Sequence, residues 1–261
     1  MKKIVLFING ELGLKVLRFV ISQKKTEISG IVLNSIQKRS SFYLDKINIV
    51  LREYGKKILI LSYENTINSN QYLKEILNIS DYGISALFGH VLPWTLLENS
   101  GCEIINLHPS LLPIGRGADP IPWSIIDQQK QGITIHIINS GLDTGAILSQ
   151  KEIKTNFGMN SGEIYEIATN MLITELESIF YTWTNRSIKV LGQSEFSGSI
   201  HKSKELESIR VMKSDELGTF GEFLRKLQAL TFSDGRKPLF IDDSGKLWQI
   251  NISLSPFREE I

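Results

Sequence analysis

The sequence predicts an α/β fold: a doubly wound, mostly parallel sheet followed by a small C-terminal α+β module. Three observations predict it. Short β-rich runs alternate with amphipathic segments over the first 150 residues, the pattern of a sheet covered by helices on both faces. The length, 261 residues, suits one medium domain plus one small one. After Lys189 the alternation stops and a polar stretch, a helical stretch and a hairpin signal follow. The expected division is 1–190 and 191–261.

Each element follows from its residues. Ile4–Asn9 (IVLFIN) reads as a first buried strand. Leu12–Ile21 carries apolar residues at 12, 14, 16, 17, 20 and 21 and reads as an amphipathic helix. Ser29–Leu33 is strand, Tyr43–Tyr54 helix, Lys57–Leu61 strand, Gln71–Leu77 helix, Tyr82–Phe88 strand, Leu96–Asn99 a short helix and Cys102–Leu107 strand. Parallel crossovers are right-handed, and ligands on such sheets sit beyond the carboxyl ends of the strands. That points to the residues after Asn9, Phe88 and Leu107. A proline-rich loop, Pro109–Gly117, leads to a helix at Pro120–Gln129 and strands at Ile133–Ile138 and Ala146–Lys151. Ser161–Asn185 reads as a long helix with Ser161 as N-cap. Gly192–Lys204 reads as loop and Ser214–Leu230 as helix. Lys237–Ile241 and Lys246–Ile252 flank DDSG, a hairpin signal.

Composition excludes several classes. Hydrophobic residues at 42% and charged ones at 22% are ordinary for a globular protein and exclude disorder, collagen and coiled coil as the dominant state. A net charge of +1 gives no global field for nucleic acid. The single cysteine, Cys102, excludes an intrachain disulfide and a cysteine-rich metal site. The start, MKKIVLFING, mimics a secretory signal, but its apolar run is short and Glu11, Lys15 and Arg18 follow at once. No stretch approaches the roughly 18 apolar residues of a membrane span. The expectation is a cytoplasmic protein that contacts neither membrane nor nucleic acid and carries no metal.

The chemistry concentrates in Asn106-Leu107-His108-Pro109-Ser110-Leu111-Leu112-Pro113. Asn106 and His108 are two apart in extended backbone, so both side chains leave one face. Pro109 keeps His108 out of the helical region. An amide donor beside an imidazole suits acyl transfer, the amide bonding a developing oxyanion and the imidazole moving the nucleophile's proton. Thirty-five residues later Asp143 sits in Ser140-Gly141-Leu142-Asp143-Thr144-Gly145, where a carboxylate can orient His108 and favour its protonated form. Taken singly, a strand-end histidine is more often structural and an aspartate between glycines more often a turn former. Order and spacing carry the joint reading.

With NLHPSLLP at 106–113, RG at 116–117, GITIH at 132–136 and LDTGAIL at 142–148, residues 1–185 resemble the 10-formyltetrahydrofolate-dependent formyltransferases. The resemblance implies a Rossmann-like sheet and a catalytic triad of Asn106, His108 and Asp143. It implies 10-formyltetrahydrofolate as formyl donor, leaving as tetrahydrofolate, against Phe88, His90, Val91, Leu92, Ser110, Leu111, Leu112, Pro113, Asn139, Ser140 and Gly141. Where some relatives carry a second arginine, this chain has Ala118.

Among the branches, the glycinamide ribonucleotide enzymes are little more than the catalytic domain, and this chain continues well past 200. The methionyl-tRNA enzymes append a larger barrel and grip a polyanion, which needs Lys/Arg clusters. HKSKEL (201–206) and LRKLQALTFSDGRKPLF (224–240) resemble the branch that formylates nucleotide-linked amino sugars, of the dTDP-4-amino-4,6-dideoxyhexose type used in O-antigen and lipopolysaccharide biosynthesis. That substrate implies contacts from Asn9, Arg116, Gly117 and Lys202. Arg116 has an alternative reading as a brace of the loop, and Lys202 as plain surface. His136 reads as core or as a support for the site, and His201 and Cys102 as structural. The alternatives are a methionyl-tRNA formyltransferase and, from another class, a non-catalytic nucleotide-sugar or folate-binding module. A homodimer through the C-terminal unit is a further expectation.

Overall fold

The computed structural model describes residues 1–35, 41–63, 70–193, 200–202 and 204–256. Two compact units are present: residues 1–108, 134–149 and 169–193 form one, and 109–133, 150–168 and 194–261 the other. Packing thus groups 109–133 and 150–168 with the C-terminal residues, whereas a single cut near 190 leaves them with the N-terminal part.

The first unit is built on a seven-stranded sheet of order β3-β2-β1-β4-β5-β6-β7. Strands β1 (Lys2–Ile8), β2 (Thr26–Leu33), β3 (Ile60–Ser62), β4 (Tyr82–Ala86) and β5 (Glu103–His108) run parallel. Ile4 to Ile8 are fully buried, the continuous apolar run that a strand covered on both faces requires. Strand β6 (Gln131–Ile137) reverses against β5, with Asn106 opposite His136 and His108 opposite Thr134. Strand β7 (Ile147–Ile153) closes the edge.

Helix α1 (Gly10–Ser22) buries Leu12, Leu14, Val16, Leu17 and Val20, the apolar face expected from the sequence. Helices α2 (Ser41–Tyr54), α3 (Asn70–Ile79) and α4 (Trp94–Leu97) follow. The chain runs from β1 to β2 and β3 on one side, then returns to place β4 on the other side of β1. The carboxyl ends of β1 and β4 therefore flank the point where strand order reverses, and β5 ends beside them. Such points are where ligands bind on open sheets.

The second unit holds α5 (Pro120–Ile126), the start of α6 (Ser161–Thr184), α7 (Glu205–Ser208) and α8 (Phe220–Ala229), with α8 packed on α5. A small sheet joins β8 (Val211–Lys213) parallel to β9 (Leu239–Ile241), and β9 antiparallel to β10 (Leu247–Gln249). The hairpin sits where DDSG predicted it.

One expectation is corrected. The N-cap of α6 is Asn160, not Ser161. Asn160 Oδ1 accepts from the Glu163 amide at 3.1 Å, and Glu163 Oε2 accepts from the Asn160 amide at 2.8 Å, a reciprocal capping box. Ser161 is fully buried, and its hydroxyl instead donates to the Ala229 carbonyl at 2.7 Å. The loop expected at Gly192–Lys204 lies partly outside the described residues.

Candidate active site

Strand β5 ends in the two side chains that sequence spacing placed on one face. His108 is buried, and Asn106 is half-buried one pleat earlier. The loop after β6 brings Asp143 back to them. Its backbone is in the left-handed region (φ 51°), a conformation few residues other than glycine adopt. Gln193 holds this turn by donating to the Asp143 carbonyl at 2.9 Å and the Gly145 carbonyl at 2.7 Å. Asn139 braces its other side, its Oδ1 accepting from the Gly141 amide at 3.2 Å and the Thr144 hydroxyl at 2.8 Å.

The three predicted residues meet. Asp143 Oδ2 lies 3.9 Å from His108 Nδ1, and Asp143 Oδ1 lies 3.5 Å from Asn106 Nδ2. The carboxylate is 12% exposed and the His108 side chain 7%, so their interaction is little screened by solvent. Nδ1 is the His108 ring nitrogen that faces the carboxylate.

A fourth residue joins them. His136 Nε2 lies 3.3 Å from Asn106 Nδ2 and 3.5 Å from Asp143 Oδ1. The antiparallel register of β5 and β6 puts it directly opposite Asn106. The GITIH run left His136 open between core and support for the site, and the strand pairing brings its ring against Asn106. Gln193, fifty residues from Asp143, left no local signal.

The remaining predicted contacts divide between the units. In the first, Phe88 packs edge-on against Phe7 and Tyr63, and His90 stacks on Tyr63 at 3.7 Å while Nε2 accepts from the Ser35 amide at 3.3 Å. Leu92 is core and Val91 is exposed. Asn9 follows β1, its amide donating to the Ala86 carbonyl at 3.1 Å, and it precedes α1 without a side-chain cap hydrogen bond. Asn139 and Gly141 form the turn described above, and Ser140 is exposed between them.

In the second unit, Ser110 and Leu112 are buried, the Leu112–Pro113 bond is cis, and Gln150 donates to the Leu112 carbonyl at 2.7 Å. Leu111 turns the loop by accepting from the Ile114 amide at 2.9 Å. Arg116 and Gly117 lie on a segment bridged to His201: the Ala118 amide donates to the His201 carbonyl at 3.0 Å. The His201 ring stacks on Trp123 at 3.9 Å, and its Nδ1 lies 3.0 Å from Glu205 Oε2. That hydrogen bond is the first cause of a Glu205 pKa below the usual carboxylate range. Lys202 is exposed.

A cavity of about 560 Å³ in the first unit opens elsewhere, lined by Trp94, Cys102, Glu103, Trp183 and Arg186 among others. Glu103 begins β5 and His108 ends it, roughly 16 Å apart in extended chain. The cavity thus lies at the opposite end of β5 from the Asn106, His108 and Asp143 cluster. Among the described residues no group of three or more His, Cys, Asp or Glu side chains is placed to hold a metal ion.

A family model described as formyl transferase matches residues 2–171. A dTDP-4-amino-4,6-dideoxyglucose formyltransferase of Mycobacterium tuberculosis is 33% identical over 171 residues, covering 63% of this chain and 69% of that protein. A methionyl-tRNA formyltransferase of Lysinibacillus sphaericus is 30% identical over 191 residues, covering 69% of this chain and 60% of that one. The crystal structure of a 4-N formyltransferase from Francisella tularensis shares the fold with a TM-score of 0.80 at 22% identity, over 98% of this chain and 99% of that one.

Proposed function

The chain belongs to the formyl transferase family, and from that premise we propose that it moves a formyl group from 10-formyltetrahydrofolate to the amino group of a dTDP-linked 4-amino-4,6-dideoxy sugar. The observation that carries this reading is the meeting of Asn106, His108 and Asp143 at one strand end. Such a donor set suits an acyl group: an amide N–H for the developing oxyanion, an imidazole for the proton, a buried carboxylate to orient both. The sugar and nucleotide come from the M. tuberculosis relative, which covers more of its own length in alignment than the tRNA enzyme does.

Bound 10-formyltetrahydrofolate would supply the activated formyl carbon and leave as tetrahydrofolate. Asn106 Nδ2 donates to the formyl oxygen as charge develops there. His108 takes the attacking amine's proton at Nε2 and returns one to the leaving nitrogen. Asp143 holds Nδ1–H and stabilises the imidazolium between those steps. The 3.9 Å separation of His108 and Asp143 is the loose geometry common before substrate binds. Phe88, Val91 and Asn139–Gly141 are the first unit's candidates for contact with the donor. In the second, Arg116, Gly117 and Lys202 are candidates for the diphosphate. Residues 1–190 carry catalysis in this reading, and 191–261 form the accessory module. No helix among the described residues is long and apolar enough to cross a membrane, and we place the reaction in the cytoplasm.

A mass-spectrometric screen tests the reading. Purified protein is offered 10-formyltetrahydrofolate with a panel of dTDP- and UDP-linked amino sugars, and with methionyl-tRNA as rival. A 28-Da adduct on a dTDP-4-amino sugar is expected. Formylation of the tRNA alone assigns the second reading, and sugar-nucleotide binding without any product assigns a binding module.

A further inference from the structure

We propose that His136 is the positioning residue for Asn106, and that it acts through an unusual tautomer, Nδ1–H with a bare Nε2. His136 is 1% exposed, so its nitrogens must find partners inside the protein. Nδ1 lies 3.0 Å from the Ile137 carbonyl. A carbonyl oxygen only accepts, so Nδ1 carries the hydrogen. In the neutral ring Nε2 is then an acceptor. Two atoms face it, Nδ2 of Asn106 at 3.3 Å and Oδ1 of Asp143 at 3.5 Å; of the two, only the nearer amide can donate to it.

The same contacts fix which way the amide points. Amide oxygen and nitrogen are assigned by hydrogen-bond partners. Turned over, Asn106 would aim its oxygen at two acceptors, the bare Nε2 and the Asp143 carboxylate. As placed, its Nδ2 hydrogens meet both: one goes to His136 Nε2, and the other is 3.5 Å from Asp143 Oδ1. The weaker of the two contacts is the one a formyl oxygen displaces. His136 therefore holds one amide hydrogen and fixes the amide plane, so that the second has only to leave Asp143 Oδ1 when the oxyanion forms. The chain secures this with backbone register, because Asn106 and His136 are a cross-strand pair and Ile137 is the next residue along β6.

The inference rests on the catalytic role proposed for Asn106, and its experiment separates the two. Two variants are compared. His136→Leu removes the acceptor, and His136→Gln restores one through its side-chain oxygen. With the amino-sugar substrate, His136→Leu should lose about 100-fold in kcat with little change in either KM, the scale of a misplaced reacting group. His136→Gln should stay within roughly tenfold of the parent. In an Asn106→Ala background, His136→Leu should cost little more, because the two act as one unit. Near-parental kcat for His136→Leu overturns the proposal. So does equal loss in both variants when melting curves show both folded.

A second arm needs no activity. Long-range ¹⁵N–¹H correlation of the parent, with the His136 signal identified by its loss in His136→Gln, should show a protonated Nδ1 and an unprotonated Nε2. A protonated Nε2 overturns the proposal even if every amine is formylated. If no amine is formylated, the functional reading fails while this arm still decides the tautomer.

Discussion

At the scale of single residues, the site is one carboxylate shared by three side chains. Asp143 meets Asn106 and His136 at 3.5 Å each and His108 at 3.9 Å. Each of these contacts is long, and the strand end and the Gln193-braced turn help to hold the geometry. Asn106→Ala and His108→Ala should each lower kcat by about 10²–10³ while circular dichroism stays parental. Near-normal turnover by either variant removes it from the chemistry. Cys102 should behave in the opposite way, as an inert side chain. Burial, with Asp81 and Glu103 nearby, pushes its thiol up to about 12, so almost no thiolate exists at pH 8. Iodoacetamide at that pH should label it only after denaturant is added, and rapid labelling of the native protein would contradict its burial. Order and spacing grouped Asn106, His108 and Asp143 in the sequence, and the three side chains come together in the structure. For His136 the sequence left core and support for the site both open, since the pairing of β5 with β6 is a tertiary fact.

At the scale of elements, caps and turns decide where pieces begin. The helix expected at Ser214–Leu230 starts only at Phe220, because Thr219 and Glu222 form a capping box there. Its expected first turn includes Gly218, a poor helix former. Asn160 caps α6 for the same reason, and its neighbour Ser161 misled the sequence reading because serine is also a good cap. Asn160→Ala should cost about 1 kcal/mol, measured as a shift in urea midpoint with unchanged slope. The hairpin between β9 and β10 gives a pH test. Asp242 accepts from the Ser244 hydroxyl at 2.6 Å, the Ser244 amide at 3.0 Å, the Lys246 amide at 3.0 Å and Trp248 Nε1 at 2.7 Å. The Ser244 hydroxyl, then Trp248, hold its carboxyl down at about 2. A carboxylate depressed on folding contributes stability that is complete above its unfolded pKa, about 3.9, and lost as pH falls through the folded one. The Trp248 indole N–H resonance should therefore move between about pH 4 and pH 2. In Asp242→Asn it should already be displaced at pH 6. An indole signal constant down to pH 2 would deny the carboxylate this role.

At the scale of the whole molecule, what the sequence disclosed was the logic of the sheet. Alternation of buried strands and amphipathic helices up to Leu107 led to the expectation of ligand chemistry at carboxyl ends of strands, and β5 ends in His108. Grouping by packing was not legible, because 109–133 and 150–168 join the C-terminal residues through contacts distant in sequence. The topology also separates stability from chemistry along a single strand. Glu103 opens β5 and takes the Trp183 indole N–H at 2.7 Å, while Trp183 is 1% exposed and packs edge-on against Tyr82 and Phe180. This anchors the end of α6 to the sheet at the end of β5 remote from the site. Trp183→Ala removes a large buried side chain and leaves Glu103 without that donor, which should cost about 3–5 kcal/mol. For a chain of this length that is a fall in Tm of roughly 6–20 °C. At 20 °C, well below the lowered Tm, kcat and both KM values should remain near parental, because neither Asn106 nor His108 loses a contact. Calorimetry beside steady-state kinetics decides it. A variant that melts normally denies the anchor. One that melts early and has also lost kcat at 20 °C shows that strain at the start of β5 reaches His108, and that the two ends of the strand are not independent.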